Sequence, residues 1–170
     1  MNIIISGSSG TIGTALCEAL GQHHRVIPVD LRPNRWNGGV NAETVIVDLR
    51  SMEEFRSLPA DVDLVIHCAA NARVYDLVVD PELALDNILT TKNVMEYMRR
   101  NKVPRIIFAS SREVYGSATD DSPISEQMVD LTRCESPYAA SKIAGESLVS
   151  SYSRAYGMKF VILRLSNVYG

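Results

Sequence analysis

The chain has 170 residues, of which 46% are hydrophobic and 22% charged, and a formal net charge of −3. This length holds one domain with a proper core and is too short for two substantial ones, and the balance of apolar and charged residues excludes a disordered chain. The slight acidity excludes an electrostatic footprint for nucleic acid, and no run reaches the length of a membrane span or resembles a cleavable leader, so the expected setting is cytoplasmic.

Met1 to Ser6 is an apolar run that reads as a strand. Gly7-Ser8-Ser9-Gly10-Thr11-Ile12-Gly13 follows it and leads into a helical pattern of Ile12, Leu16, Ala19 and Leu20 that ends at Gly21. A turn this tight needs a residue free to take positive φ, and a pyrophosphate approaches backbone only where no Cβ intrudes. The N–H groups and dipole of the following helix point to the same place, so Gly7, Gly10, Thr11, Ile12 and Gly13 form a candidate anion cradle. His23 and His24 fall on a connector and read as exposed loop residues.

Val26 to Val29 is a second strand ending in Asp30, where a dinucleotide fold places the carboxylate that takes ribose hydroxyls. That carboxylate would repel a 2′-phosphate, which favours NAD over NADP, although Arg32 stands two residues on. Asn34 to Asn41, with Trp36, reads as a loop, and Thr44 to Val47 as a third strand ending in Asp48-Leu49. Ser51 with Glu54 resembles a capping box for a short helix over 52–58. Asp63 to Ala70 is continuously apolar, as a central parallel strand must be, and Ala69 and Ala70 are small where a ligand would pass. A long helix is predicted from Pro81 to Arg100, a fifth strand from Val103 to Ala109, a second long helix from Ser136 to Tyr156 and a sixth strand from Phe160 to Leu165. The alternation predicts an α/β fold, a Rossmann-type doubly wound parallel sheet with helices on both faces, as one domain over residues 1–170. Three widely spaced cysteines, Cys17, Cys68 and Cys134, show no metal pattern, and no metal site is expected.

Strand five delivers Ser110-Ser111-Arg112-Glu113, and Tyr138 and Lys142 lie four apart on the next helix, on one face. A tyrosine with a pKa of about 10 is a poor base at neutral pH, and a nearby ammonium lowers it. A hydroxyl from Ser111 then holds the oxygen that loses its proton. Taken alone, the Tyr and Lys pair reads equally as a half-buried Tyr beside a surface Lys.

In order, the glycine turn spaced GxxGxxG, Asp30, His67-Cys68-Ala69-Ala70, Ser111 and the Tyr138 to Lys142 pair resemble the extended branch of the short-chain dehydrogenase/reductases, the NAD-dependent nucleotide-sugar epimerase/dehydratase family. The resemblance covers essentially the whole chain. It implies NAD as cofactor, adenine contacts from Asp48 and Leu49, and a helix residue, Asn87, that helps order the active site. Thr90-Thr91 stands where the family often has Gly-Thr. Ser111, Tyr138 and Lys142 match the family triad: Tyr138 takes a proton from a sugar hydroxyl, Lys142 binds the nicotinamide ribose and tunes Tyr138, and Ser111 orients the sugar oxygen. Glu113 and Asn167 match substrate-side positions; Glu113 reads equally as a solvated carboxylate. His67 needs only a structural role.

The family's 4,6-dehydratases have an Asp where Arg112 stands, and arginine cannot deliver a proton at any relevant pH. The expected activity is therefore that of a UDP-hexose 4-epimerase, with a non-catalytic NAD-binding module or a nucleotide-sugar decarboxylase fragment as alternatives. Family members continue into a C-terminal substrate-binding portion, so the chain resembles the amino-terminal half. The resemblance also implies a homodimer through the two long helices, Pro81 to Arg100 and Ser136 to Tyr156.

Overall fold

The computed structural model describes residues 1–117 and 123–169, so Gly170, the last residue of the terminal motif, lies outside them. Six strands, β1 (Asn2–Ser6), β2 (Arg25–Asp30), β3 (Val45–Ile46), β4 (Leu64–His67), β5 (Arg105–Ser111) and β6 (Lys159–Leu165), form one sheet. Their order is β3-β2-β1-β4-β5-β6 and every pairing is parallel. The direction of winding reverses between β1 and β4, so the chain leaves these two neighbours toward opposite faces and a crevice opens at their carboxyl ends.

Ile3, Ile5 and Ile66 point to one face, where they meet Leu16, Cys17 and Leu20 of helix α1 (Thr11–Gly21) and Val40 of α2 (Gly38–Glu43). Ile4, Val65, Ile106 and Phe108 point to the other, against Val94, Met95 and Met98 of α4 (Glu82–Asn101) and Val149 of α5 (Pro137–Tyr156). This period-two alternation into two apolar layers is what makes the sheet doubly wound. Met95 and Met98 are wholly buried, and truncating either to Ala would cost about 2–5 kcal/mol. A short helix α3 (Val74–Val79) packs Leu77 against Ala84 and Tyr138.

Several local expectations are corrected. The predicted loop 34–41 contains the start of α2, because Asn37 caps it by accepting from Val40 N at 3.0 Å, which outweighs the helix-breaking pair Gly38-Gly39. The predicted helix 52–58 is a single 3₁₀ turn, Glu54–Ser57. Its cap partner is Asp48 rather than Ser51: Glu54 Oε2 accepts from Asp48 N at 2.6 Å. The third strand shrinks to two residues, and the fourth ends at His67, leaving Cys68, Ala69 and Ala70 in the connection that follows.

β6 lies at the sheet's edge, with Phe160, Val161 and Leu163 each at least 40% exposed.

Candidate active site

The turn after β1 is shaped by collisions that side chains would cause. Gly7 has φ +76°, and a Cβ there would stand 2.7 Å from Ala69 N; a Cβ on Gly13 would stand 2.0 Å from Gly7 O. These two glycines are demanded by the protein's own packing. Gly10 differs, since a Cβ there would meet only Gly7 O, at 3.4 Å. It occupies the N-cap of α1 with no capping side chain and no acidic residue in the first turn. The first-turn N–H groups thus face the crevice without an internal acceptor, and the open side of Gly10 leaves room for a bulky anion.

A cleft of about 750 Å³ runs along the carboxyl ends of the strands. Gly7, Gly10, Thr11, Ile12, Gly13, Asp30, Asp48, Leu49, Ala69, Ala70, Asn87, Ser111, Tyr138 and Lys142 all line it. Glu113 and Asn167 do not line it, although Leu165, Ser166 and Val168 do. Asp30 does two jobs at one end. Its Oδ2 accepts from Ser9 N at 2.9 Å and its Oδ1 from Arg32 N at 3.0 Å, which fixes the glycine turn, and each oxygen keeps a lone pair for a ribose hydroxyl. The loop beyond is stapled by Asn34, which is 5% exposed. Its Nδ2 donates to Ser8 O (3.1 Å) and Thr14 Oγ1 (2.8 Å), while its Oδ1 accepts from Trp36 N (2.8 Å) and Asn37 N (3.0 Å). The only tryptophan of the chain, Trp36, is thereby held on the cleft rim, 77% exposed.

Asp48 is gripped by Arg50, whose Nη2 donates at 2.8 Å and whose Nη1 reaches Asp86 on α4 at 2.9 Å. These bonds hold the Asp48 carboxyl below its usual range. Asn93, also on α4, donates to both Leu49 O and Arg50 O at 2.9 Å, so this wall is clamped to the long helix.

A polar chain crosses the interior between the sheet and α5. Thr91 Oγ1 donates to Asn87 O at 2.9 Å, so it accepts from His67 Nε2 at 3.2 Å, and His67 Nδ1 then accepts from Ser6 Oγ at 2.6 Å. Burial drives His67 down to about 3, which keeps it a neutral link with a structural task. Thr91, the second residue of the Thr90-Thr91 pair, is therefore a working member of the chain. Asn87 accepts from Asn71 N (2.7 Å) and donates to Asn71 O (3.0 Å) and Ser141 Oγ (3.2 Å). Ser141 in turn donates to Tyr138 O at 2.7 Å. None of Asn34, Asn71, Asn93 or Ser141 is expected from sequence; the sole local signal is the turn-forming tendency of Asn in the 31–37 loop.

At the other end, Ser136 caps α5 by accepting from Ala139 N at 3.0 Å, with Pro137 in the first turn. One helical turn then carries Tyr138 and Lys142 inward, 8% and 5% exposed. Lys142 Nζ donates to Ala109 O at 2.8 Å and lies 5.7 Å from the Tyr138 ring centre. Burial lowers Lys142 to about 8 against the pull of the Glu146 carboxylate. Burial also raises Tyr138, with the Ser111 hydroxyl opposing and the Glu113 carboxylate adding to the rise. The expected lowering of Tyr138 by Lys142 is thus not what this arrangement produces: desolvation dominates, and the ammonium is engaged by a carbonyl. Arg112, 57% exposed, lies 3.7 Å from Glu113 Oε1.

The pieces fit a dinucleotide: an N-terminal anion cradle with one glycine the protein itself does not need, a ribose carboxylate, a clamped far wall and a buried Lys and Tyr opposite. A profile of the NAD dependent epimerase/dehydratase family matches residues 3–170. The crystal structure of the Thermus thermophilus UDP-glucose 4-epimerase in complex with NAD aligns over 100% of this chain and 56% of that one, with a TM-score of 0.89 and 35% identity. A Methanocaldococcus jannaschii protein provisionally named a UDP-glucose 4-epimerase is 35% identical over 99% of this chain and 56% of its own length. The dTDP-glucose 4,6-dehydratase of Mycolicibacterium smegmatis is 30% identical over 100% of this chain and 54% of its own. The chain thus spans a little over half the length of these curated relatives.

Proposed function

Because the chain belongs to the NAD dependent epimerase/dehydratase family, we propose that it binds NAD in the cleft and carries the redox residues of a nucleotide-sugar 4-epimerase acting on a UDP-hexose. The observation that carries this reading is the convergence of Ser111, Tyr138 and Lys142 on the same cleft that the glycine turn and Asp30 line from its other end. When bound, NAD supplies a reversible acceptor for the hydride of the sugar carbon. Tyr138 Oη takes the proton of the sugar hydroxyl as that carbon is oxidised and returns it when the carbon is reduced on its opposite face. Ser111 Oγ donates to the same sugar oxygen, and Lys142 Nζ binds the nicotinamide ribose hydroxyls. Glu113 and Asn167 serve the substrate side. Arg112 supports epimerisation over 4,6-dehydration, since a permanently charged guanidinium cannot protonate a departing hydroxyl.

Mixing the chain with NAD and UDP-glucose tests this. Appearance of UDP-galactose, or of NADH in a single turnover, is the expected result. NAD binding without either product would leave the second reading, a non-catalytic NAD-binding module, which the position of Glu113 and Asn167 outside the cleft lining favours. NAD should bind more tightly than NADP, and the reverse order would refute the role given to Asp30. The same reading includes a homodimer through α4, where Leu85 and Leu89 are exposed, and α5, and a cytoplasmic setting that suits the free thiols of Cys17, Cys68 and Cys134.

A further inference from the structure

Glu146 stands one turn beyond Lys142 on α5, and Arg164 stands near the end of β6. They meet fork to fork, Nε to Oε1 at 2.9 Å and Nη2 to Oε2 at 2.7 Å, with side chains only 12% and 19% exposed. An ion pair this deep is close to break-even for stability, because desolvation offsets the attraction. Its remaining bonds show what it does. Ser110 Oγ donates to Glu146 Oε1 at 2.6 Å, and Ser110 directly precedes Ser111. Arg164 Nη1 donates to Tyr115 Oη at 3.1 Å, in the turn that bears Glu113, and to Glu126 O at 2.6 Å, in the segment 123–135. The guanidinium also lies 5.0 Å from the Tyr115 ring centre.

One planar fork therefore joins four elements around the Tyr138 end of the cleft. We propose that Glu146 and Arg164 are the positioning pair of this end: they set Ser111 and Glu113 against the helix bearing Tyr138 and Lys142, and they strap segment 123–135 to the same wall. The catalytic purpose rests on the function proposed above; the strap does not. A lysine at position 164 would supply a point charge with no fork and could not hold Glu146, Tyr115 and Glu126 at once.

The test compares Arg164→Lys and the apolar double variant Glu146→Met with Arg164→Met against the unaltered chain. Apolar replacement of such a pair leaves folding largely intact, so melting should stay within about 5 °C, and NAD affinity, read from Trp36 fluorescence at the far end of the cleft, should change less than about twofold. Tryptic cleavage after Arg133, followed by peptide mass, should rise about tenfold or more in both variants as the strap opens. NADH formation from UDP-glucose should fall about tenfold with little change in sugar affinity. Cleavage at the unaltered rate in a folded variant overturns the strap, and unaltered NADH formation overturns the positioning role. If the double variant fails to fold, Arg164→Lys decides alone. If the unaltered chain makes no NADH, the proposed reaction fails while the cleavage comparison still decides the strap.

Discussion

The ammonium of Lys142 is bonded to the carbonyl of Ala109 at 2.8 Å and stands 5.7 Å from the ring of Tyr138, the residue it is expected to activate. Both groups are desolvated, which pulls Lys142 down to about 8 and pushes Tyr138 up. The helix delivers the two side chains to one face, and burial then sets their protonation.

Burying Lys142 opposes folding. With the folded pKa near 8 and the unfolded one near 10.5, the unfolded chain binds more protons between these values, so stability rises as pH climbs through that window. Lys142→Met removes this burden and also one hydrogen bond, for a net gain of about 1 kcal/mol at pH 7, or roughly 2–4 °C in melting temperature. The advantage should fade above pH 8, while NADH formation from UDP-glucose is lost. A variant that melts below the unaltered protein at pH 7 would contradict the account.

His67 acts on the acid side. Its folded pKa of about 3 lies below the ordinary value of 6.5, so its contribution is complete above pH 6.5 and is lost as pH falls toward 3. Between pH 7 and pH 5 the loss is about 2 kcal/mol. The carboxyl of Glu96, held near 2 by Arg99 and Arg100, begins to matter only below its ordinary value of 4.5. His67→Gln should flatten the denaturation profile between pH 6.5 and 5; an unchanged slope would assign the acid sensitivity elsewhere.

The glycines separate folding from binding. Gly13→Ala places a methyl 2.0 Å from Gly7 O and should prevent or cripple folding, whereas Gly10→Ala meets only an ordinary contact and should cost less than about 1 kcal/mol. If the cradle holds pyrophosphate, Gly10→Ala nevertheless weakens NAD binding about tenfold or more. Isothermal titration beside a melting curve distinguishes the two, and equal NAD affinity would show that the anion does not approach Gly10.

Asn34→Ala should cost about 2–3 kcal/mol, because Ser8 O, Thr14 Oγ1 and two loop N–H groups lose their partner together. Trp36 should then become mobile, and its fluorescence anisotropy should fall. Unaltered anisotropy in a folded variant would mean the loop is held by something else.

What could be read from the sequence is what short-range geometry determines. The positive φ of Gly7 and the crowding at Gly13 arise from a strand, turn and helix contiguous in the chain, although the approach of Ala69 to Gly7 does not, and Tyr138 and Lys142 share a face by helical period alone. Asp30 follows from where β2 ends, and Asp48 stands two residues beyond the end of β3. The rest depends on partners remote in sequence. Arg50 meets Asp86 across 36 positions, Thr91 meets His67 across 24, and Asn87 meets Ser141 across 54. No periodicity announces such pairs. The start of α2 is hidden for a different reason: two glycines conceal a helix whose cap, Asn37, is also an ordinary loop residue.

The exposed strand β6 has a bearing on handling the protein. Seven residues long, paired with β5 alone among the described residues and apolar on its surface at Phe160, Val161 and Leu163, it offers a foreign strand a ready row of N–H and C=O groups. The cations within it are Lys159 at one end and Arg164, which is already committed to Glu146. Intermolecular sheet growth along this rim, rather than any defect in the cleft, should set the concentration at which the chain leaves solution.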